Sequence, residues 1–171
     1  SHGIKRFYGI KEVKIIYPGI DFEKFTRGIV GVEELRKKIG INNEKVILYV
    51  GRFDLRKGIF DLLYAFKKLS SCMDGIHLII IGDGELKNIV NRVIENLDLQ
   101  KRVTCLGYVT QEKLIQFYNL SEFVCIPSLY EPFGRVAVES LLCGKPVVAY
   151  SVGGLKEILL NGVTGILVPQ K

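Results

Sequence analysis

Several features that define common protein classes are missing from this 171-residue sequence. No apolar run approaches the roughly 20 residues that a membrane-spanning helix needs. The four cysteines form no C-x-x-C pair, and the two histidines, His2 and His77, are too few for a histidine cluster. No D-x-D triplet occurs either. These absences argue against a membrane-spanning protein, a disulfide framework, a zinc site and a bound divalent metal.

Two phosphate-binding signatures are also missing. No strand pattern is followed by the dinucleotide fingerprint G-x-G-x-x-G, and the Walker motif G-x-x-x-x-G-K-[ST] does not occur. The net charge is +6 and the pI about 9.1, an excess that either attracts nucleotides, anionic lipid surfaces or nucleic acid, or forms a solvated basic face. Aromatic residues are not interleaved with the basic ones, so we expect no nucleic-acid partner.

The cysteines and the ends of the chain bear on its location. Three of the four cysteines lie in apolar segments, where a free thiol behaves as a small hydrophobic group. This favours a reducing, cytoplasmic setting. The chain begins Ser1-His2-Gly3, with no initiator Met and no apolar signal segment, so we expect a piece of a longer protein whose own targeting signals are lost.

Strand-like and helix-like segments alternate along most of the chain. The composition, 48% hydrophobic and 25% charged, is typical of a globular fold. Short apolar runs predict strands at 46–50, 77–81, 103–106, 123–126, 147–149 and 165–168. Helical spacing predicts helices at 58–69, 85–97, 111–119, 136–143 and 155–160. Continuous apolar strands, each followed by a helix, predict an α/β fold with a Rossmann-like, doubly wound parallel sheet.

The first forty residues lack this alternation. We predict a short strand at 14–16, a turn at 17–21 and a short helix at 32–39. The region therefore looks more like a linker than a unit of the core.

Glycines and charged residues follow the predicted strands. Gly51-Arg52 follows the first core strand and Lys57 opens the next helix, so two cations at one strand end suit a diphosphate, although both residues could simply be exposed. Gly82-Asp83-Gly84 is a tight turn that allows a close approach to a ligand. Ligands of doubly wound folds bind at the carboxyl ends of the strands, where these residues lie.

The segment 131–139 is the most informative part of the sequence. Its strand, turn and helix start form the arrangement in which α/β proteins bind phosphate, and Glu131 and Glu139 flank it. Carboxylates also accept hydrogen bonds from sugar hydroxyls. The two acids could instead be a glycosidase pair, or residues that only stabilise the helix start and its solvated face. A glycosidase, however, needs neither the phosphate site nor the two cations.

The chain resembles the C-terminal, donor-binding domain of retaining glycosyltransferases of family 4, one half of a GT-B fold. The motifs that carry the resemblance follow one another through almost the whole chain. They are 17–21, Gly51-Arg52 with Lys57-Gly58, 81–84, 106–109, Pro127-Ser128, 131–139, 143–149, Gly153-Gly154 and 162–168. Together they are specific for the family and not for the sugar.

The resemblance implies a role for each candidate residue. Arg52 and Lys57 would hold the donor diphosphate, Glu131 would orient the donor sugar, and Glu139 would bind the ribose hydroxyls. The other donor-binding positions that it implies are Gly51, Gly82, Gly84, Val109, Phe133, Gly134, Arg135 and Val136. Arg135 replaces the aliphatic residue that is common in the family, and it could face the phosphates or solvent. The resemblance implies no cofactor and no metal, and a UDP-, GDP- or ADP-linked sugar as substrate.

The resemblance also implies a second domain. Residues 1–20 would be the linker from an N-terminal domain that holds a glycan, lipid or small-molecule acceptor, and 21–171 the donor domain. We expect this chain to bind nucleotide weakly and to transfer no sugar alone. Because many relatives act at membranes, association with the inner membrane surface is compatible with the basic charge. Two other functions stay open, a GT-B sugar-nucleotide epimerase and a non-catalytic nucleotide-binding module, but the paired acids and cations favour the transferase.

Overall fold

The computed structural model describes Lys14 and residues 16–170, in which strands and helices alternate. The strands are β1 (Lys45–Val50), β2 (Ile76–Ile81), β3 (Val103–Leu106), β4 (Phe123–Ile126), β5 (Val147–Tyr150) and β6 (Gly165–Val168). The helices are α1 (Val32–Lys38), α2 (Ile59–Cys72), α3 (Lys87–Asn96), α4 (Gln111–Leu120), α5 (Arg135–Leu142) and α6 (Leu155–Ile158). A 3-10 turn, Leu55–Lys57, lies between β1 and α2.

The six strands form one sheet in the order β3-β2-β1-β4-β5-β6, and every neighbouring pair is parallel. This confirms the predicted Rossmann-like, doubly wound sheet. The chain first builds outward from β1 to β3 and then returns to place β4 on the other side of β1. The order therefore reverses between β1 and β4, and the loops that leave their carboxyl ends diverge there and open a crevice.

Apolar side chains cover both faces of the sheet. In β1, Val46 and Leu48 face one core cluster, while Ile47 and Tyr49 face the other, because successive strand residues point to opposite sides. The first cluster includes residues of α4, α5 and α6, and the second includes residues of α2 and α3. Burial on both faces explains why the strands are continuously apolar instead of alternating.

Most element boundaries agree with the sequence predictions to within a few residues. Helix α2 continues to Cys72. Helix α3 begins at Lys87 instead of residue 85, because the chain turns first and the Lys87 N–H donates to the Gly84 carbonyl at 3.1 Å. Helix α6 ends at Ile158, since Leu159 has an extended backbone.

The early part of the chain differs from the prediction. Neither Lys14 nor Ile16 lies in a strand, and the turn comes at 22–24, later than predicted, with Asp21 accepting a hydrogen bond from the Lys24 N–H at 3.4 Å. Phe25 and Ile41 are 3% and 1% exposed in the core cluster that faces α4. The description of the first forty residues as a linker is therefore wrong from Phe25 onward. The apolar side of α1 packs against α4 and makes this region part of the core.

Few polar side chains are buried in the sheet. His77, in β2, is 9% exposed, and its Nε2 lies 2.8 Å from the Thr104 hydroxyl on β3, a structural contact within the sheet. All four cysteines are free thiols. Among the described residues, no helix has the length and apolar character needed to cross a bilayer.

Candidate functional site

The candidate site lies in the crevice at the carboxyl ends of β1 and β4. One wall is the loop from Gly51 to Gly58, and the other is the loop from Pro127 to Gly134. The two loops are joined directly, because the Leu129 N–H donates to the Arg56 carbonyl at 2.7 Å. Sheet topology thus brings together two segments that lie far apart in the sequence.

Neighbouring loops at this edge touch through backbone atoms. A Cβ atom added at any of several glycines would lie about 2 Å from a carbonyl oxygen of the next loop. The contacts are Gly58 with Pro127 O (1.9 Å), Gly82 with Gly51 O (1.9 Å), Gly153 with Glu131 O (2.0 Å) and Gly154 with Phe133 O (2.2 Å). The glycines therefore set how closely the loops that carry the candidate residues approach each other.

Lys57 and Glu131 form an ion pair across the crevice. Lys57 Nζ lies 2.7 Å from Glu131 Oε2, and the two side chains are 28% and 14% exposed. The Ser128 hydroxyl, on the same loop as Glu131, donates to the same oxygen at 3.3 Å. The cation that we assigned to the diphosphate and the carboxylate that we assigned to the sugar are therefore in direct contact.

Arg52 lies beside this pair but interacts with a different acid. Its Nη2 is 3.3 Å from Asp54 Oδ2, and Arg56 approaches the same oxygen at 3.4 Å. Burial opposes ionisation of Asp54, but hydrogen bonds from Arg56 and the charges of both arginines outweigh it and lower the pKa of Asp54. The Arg52 side chain is 64% exposed, so it can turn toward a ligand at little cost in desolvation.

Gly51, Arg52, Gly82 and Val109 share one cavity of about 310 Å³ at the ends of β1, β2 and β3. Its other lining residues are Val50, Ile81, Asp83, Tyr108 and Leu114. Tyr108, which the sequence analysis did not select, is 90% exposed at its mouth. The structure thus groups four of the predicted donor-binding positions.

Gly84 has a different place from the other predicted glycines. It packs against the backbone of Phe53, where an added Cβ would lie 2.6 Å from the Phe53 carbonyl oxygen. Its N–H is not free to donate to a ligand in this arrangement, because it donates to the Asp83 carboxylate at 2.8 Å. Gly84 therefore shapes the loop, whereas Gly82 lines the cavity.

The amino end of α5 faces the crevice without a side-chain cap. Gly134 occupies the N-cap position and offers no side-chain acceptor to the N–H groups of the first turn. The side chain of Val136 packs against the core, so only the backbone of this residue can contact a polar ligand. A helix start of this kind favours an anion such as a phosphate.

Glu139 is buried one turn further along α5, and both of its carboxylate oxygens are occupied. Oε2 accepts a hydrogen bond from the Tyr118 hydroxyl at 2.8 Å, and Oε1 lies 2.7 Å from Arg135 Nε. Glu139 is 4% exposed and Tyr118 fully buried. Burial, together with the charge of Glu139 and the hydrogen bond to it, raises the pKa of Tyr118, so its hydroxyl stays protonated and donates.

Phe133 has an aromatic partner from the beginning of the described chain. Its ring stacks on Tyr17 with 5.5 Å between the ring centroids. The Tyr17 hydroxyl also donates a hydrogen bond to Glu157 of α6, and this bond is the main cause of the raised pKa of Tyr17. The segment that we predicted to be a linker thus contacts the 131–139 loop directly.

Tyr118 and Ser128 were missed by the sequence analysis although both contact a candidate acid. Tyr118 follows the apolar spacing of α4 and reads as an ordinary core residue. Ser128 lies near Glu131 in a Pro-Ser turn that formed part of the family resemblance, and this was the available signal. Within the described part of the chain, His, Cys, Asp and Glu side chains form no group of three or more that could hold a metal ion.

A six-stranded parallel sheet whose order reverses between β1 and β4 defines a doubly wound α/β protein. Residues 31–171 match the family model described as "Glycosyl transferases group 1". The match covers most of the sequence, so the chain belongs to this family of glycosyltransferases, as the resemblance predicted.

Curated relatives extend this result. The chain is 39% identical over 163 residues to the uncharacterised glycosyltransferase MJ1607 of Methanocaldococcus jannaschii, a match that covers 94% of this chain and 42% of that protein. It is 34% identical over 162 residues to a D-inositol 3-phosphate glycosyltransferase of Mycolicibacterium smegmatis, covering 91% of this chain and 36% of that protein. The chain thus spans less than half the length of either relative.

Solved structures share the fold. The crystal structure of Anabaena Alr3699/HepE in complex with UDP and glucose superposes with a TM-score of 0.83 at 32% identity. The superposition covers 91% of this chain and 43% of that one. This agreement confirms that the Rossmann-like sheet is that of a GT-B glycosyltransferase.

Proposed function

We propose that this chain is the donor-binding half of a retaining glycosyltransferase. The whole enzyme would transfer a sugar from a nucleoside diphosphate sugar to an acceptor held mainly by another domain. The observation that carries the proposal is the 2.7 Å contact between Lys57 and Glu131 at the switch point of the sheet. A diphosphate would take the cation and a sugar the carboxylate, so one ligand with both groups satisfies both side chains.

The diphosphate would lie between the start of α5 and the loop after β1. Lys57, the exposed guanidinium of Arg52 and the uncapped N–H groups behind Gly134 all carry positive charge beside this space. Cleavage of the anomeric C–O bond builds negative charge on the leaving diphosphate. Groups that are already oriented stabilise that charge without reorganising, and the proposal assigns this task to the protein.

The nucleoside would extend from the diphosphate in the opposite direction to the sugar. Glu139 is the acceptor for the ribose hydroxyls, and the cavity beside Val109 has room for the base. Uracil is the first base to test, because HepE, at 33% identity, was crystallised with UDP-glucose.

The proposal includes retention of the anomeric configuration without a covalent intermediate. Glu131 accepts from Lys57 and from Ser128, which stabilises its negative charge and lowers its nucleophilicity. We therefore assign Glu131 to orienting the donor sugar, and not to forming a covalent intermediate. The acceptor would attack from the side on which the diphosphate leaves.

The proposal can be tested by measuring ligand binding to the 171-residue chain. We expect one of UDP-, GDP- and ADP-glucose to raise its melting temperature, because a ligand that binds only the folded state stabilises it by mass action. The Lys57→Ala change should weaken the affinity for the corresponding nucleoside diphosphate roughly 10-fold or more, since a charge-assisted hydrogen bond contributes about 1.5–3 kcal/mol. Isothermal titration calorimetry gives the affinities.

Lys68→Ala is the matched control. Lys68 is exposed near the end of α2, away from the edge where the loops meet, so its loss should leave the affinity unchanged. The proposed donor site is wrong if none of the three nucleotides binds. It is also wrong if Lys57→Ala and Lys68→Ala bind the nucleotide with the same affinity.

A further inference from the structure

Glu139 cannot receive a ribose while both of its present partners stay in place. Its side chain is 6% exposed, with one carboxylate oxygen bonded to Tyr118 and the other to Arg135. A ribose that uses this carboxylate must therefore displace one of the two partners. A carboxylate can accept several hydrogen bonds, but only from directions that are open.

Arg135 is the partner that can leave. Tyr118 is fully buried in the core cluster, where it packs on Phe25 with the ring centroids 6.2 Å apart. Moving its hydroxyl would break this packing. The Arg135 side chain, in contrast, is 67% exposed although its Nε contacts a nearly buried acid. Its guanidinium can rotate into solvent without disturbing the core.

The position of Arg135 also determines where its charge goes. It is the first residue of α5, next to the uncapped N–H groups that attract an anion. Because the Arg135 side chain is long and begins at this point, it can turn from Glu139 toward a diphosphate at the same helix start. An arginine matches phosphate oxygens with two parallel N–H donors, so the exchange replaces one charge-assisted interaction by another.

We propose that Arg135 masks Glu139 through their ion pair and moves to the diphosphate when the ribose of the donor takes its place. This inference rests on the proposed function and deepens it. Its consequence is selectivity for phosphorylated ligands. A nucleoside without phosphates must displace Arg135 and gives it no new partner, whereas a nucleoside diphosphate supplies one.

The masking can be treated as a conformational equilibrium. The apparent affinity of a ligand that needs free Glu139 falls in proportion to the fraction of molecules in which Arg135 has moved away. Removing Arg135 abolishes this reduction for every ligand that carries ribose. Removing Arg135 also removes the contact to phosphate, and this second change weakens the binding of nucleoside diphosphates alone.

Affinities of the Arg135→Leu variant test the exchange. Uridine and UDP are titrated into the 171-residue chain and followed by NMR and calorimetry. In the variant, the affinity for uridine should rise about threefold or more. The ratio of UDP affinity to uridine affinity should fall about 10-fold, the scale of one lost charge-assisted contact. If Arg135 only supported the fold, its replacement would lower the affinity for both ligands and leave the ratio unchanged.

Two further variants serve as controls. Arg92→Leu makes the same chemical change at an exposed position of α3, on the opposite face of the sheet, and should alter neither affinity. In a Glu139→Gln background the ion pair is already lost, so Arg135→Leu should no longer raise the affinity for uridine. If the leucine variant does not fold, Arg135→Gln must show the same two changes.

The outcomes separate the exchange from the proposed function. If the unaltered chain binds neither UDP nor the other nucleoside diphosphates, both proposals are wrong. If it binds UDP but Arg135→Leu leaves uridine affinity unchanged or reduces it, Arg135 does not mask Glu139. If uridine affinity rises and the ratio stays constant, Arg135 does not move to the diphosphate. Either of the last two results overturns the exchange alone.

Discussion

Tyr118 and Glu139 form a pair in which a neutral hydroxyl stabilises a buried carboxylate. The hydroxyl donates to Glu139 at 2.8 Å from a position that solvent does not reach. A buried charge that loses such a partner also loses solvation that water cannot replace. The pair therefore fixes the direction of the carboxylate and contributes to the stability of the fold.

The change Tyr118→Phe measures this contribution. It removes one oxygen and keeps the ring, so we expect the free energy of unfolding in urea to fall by about 1.5–3 kcal/mol, the range for a hydrogen bond to a charged group. Tyr64→Phe, at a side chain that is 55% exposed, should change it by less than about 0.5 kcal/mol. Equal stability of both variants would show that the hydroxyl contributes nothing.

Single residues were the part of the site that the sequence revealed least completely. Glu131, Lys57 and Glu139 could be selected because charged residues at strand and helix ends suggest ligand binding. Other contacts of the site residues could not be predicted in the same way. The contact of Tyr118 with Glu139 depends on the packing of α4 against α5, and the pairing of Arg52 with Asp54 depends on the local turn.

Among the elements, the loops after the strands carry the site, and their spacing depends on close backbone contacts. Gly82 is the clearest case. Its φ of 149° is one that other residues rarely adopt, and a Cβ there would lie 1.9 Å from the Gly51 carbonyl oxygen. A substitution would push the β1 loop, and with it Arg52, away from the cavity.

We expect Gly82→Ala to lower the free energy of unfolding by at least about 2 kcal/mol, since backbone strain and overpacking each cost about 1–3 kcal/mol. Affinity for a nucleoside diphosphate should fall as well. Gly107→Ala is the matched control at the same edge, because an added Cβ there meets nothing within 4 Å, and its effect should stay below about 1 kcal/mol. Chemical denaturation and calorimetry distinguish the two outcomes; similar losses would contradict the crowding argument.

Elements were predictable where the pattern was strong. The strands were found because burial on both faces leaves an almost continuous apolar run between glycines, as in Ile76–Ile81, where His77 is the one polar residue. In the first forty residues the helix at 32–39 was predicted correctly, but its place in the core was not, because α1 buries only part of its surface. Local sequence did not reveal that its partner is α4.

At the scale of the whole molecule, the core contains thiols and phenols that ionise less readily than in the unfolded chain. Burial raises the pKa of Cys125 to about 12 from a model-peptide value of 9.0. Between these values the folded state retains a proton that the unfolded state has lost. The contribution to stability is therefore complete below about pH 9 and is lost as the pH rises toward 12.

This effect predicts an alkaline loss of stability. At pH 11, ionisation of Cys125 alone should reduce the free energy of unfolding by on the order of 2.5 kcal/mol relative to pH 8. Urea denaturation should therefore show a shallower decline with pH for Cys125→Ala than for the original chain. Cys72→Ala, at an exposed thiol, should leave the decline unchanged. Identical pH profiles for all three proteins would exclude Cys125 as a cause.

The backbone contacts between the loops also decide which positions can be varied to change the ligand preference of the proposed donor site. Gly58, Gly82, Gly153 and Gly154 cannot accept a side chain without separating the loops. New donor preferences, whether selected by evolution or in a library, must then arise from side chains that face open space. Tyr108, at the mouth of the cavity, is such a position, and randomising it explores new ligands while the framework of the site stays intact.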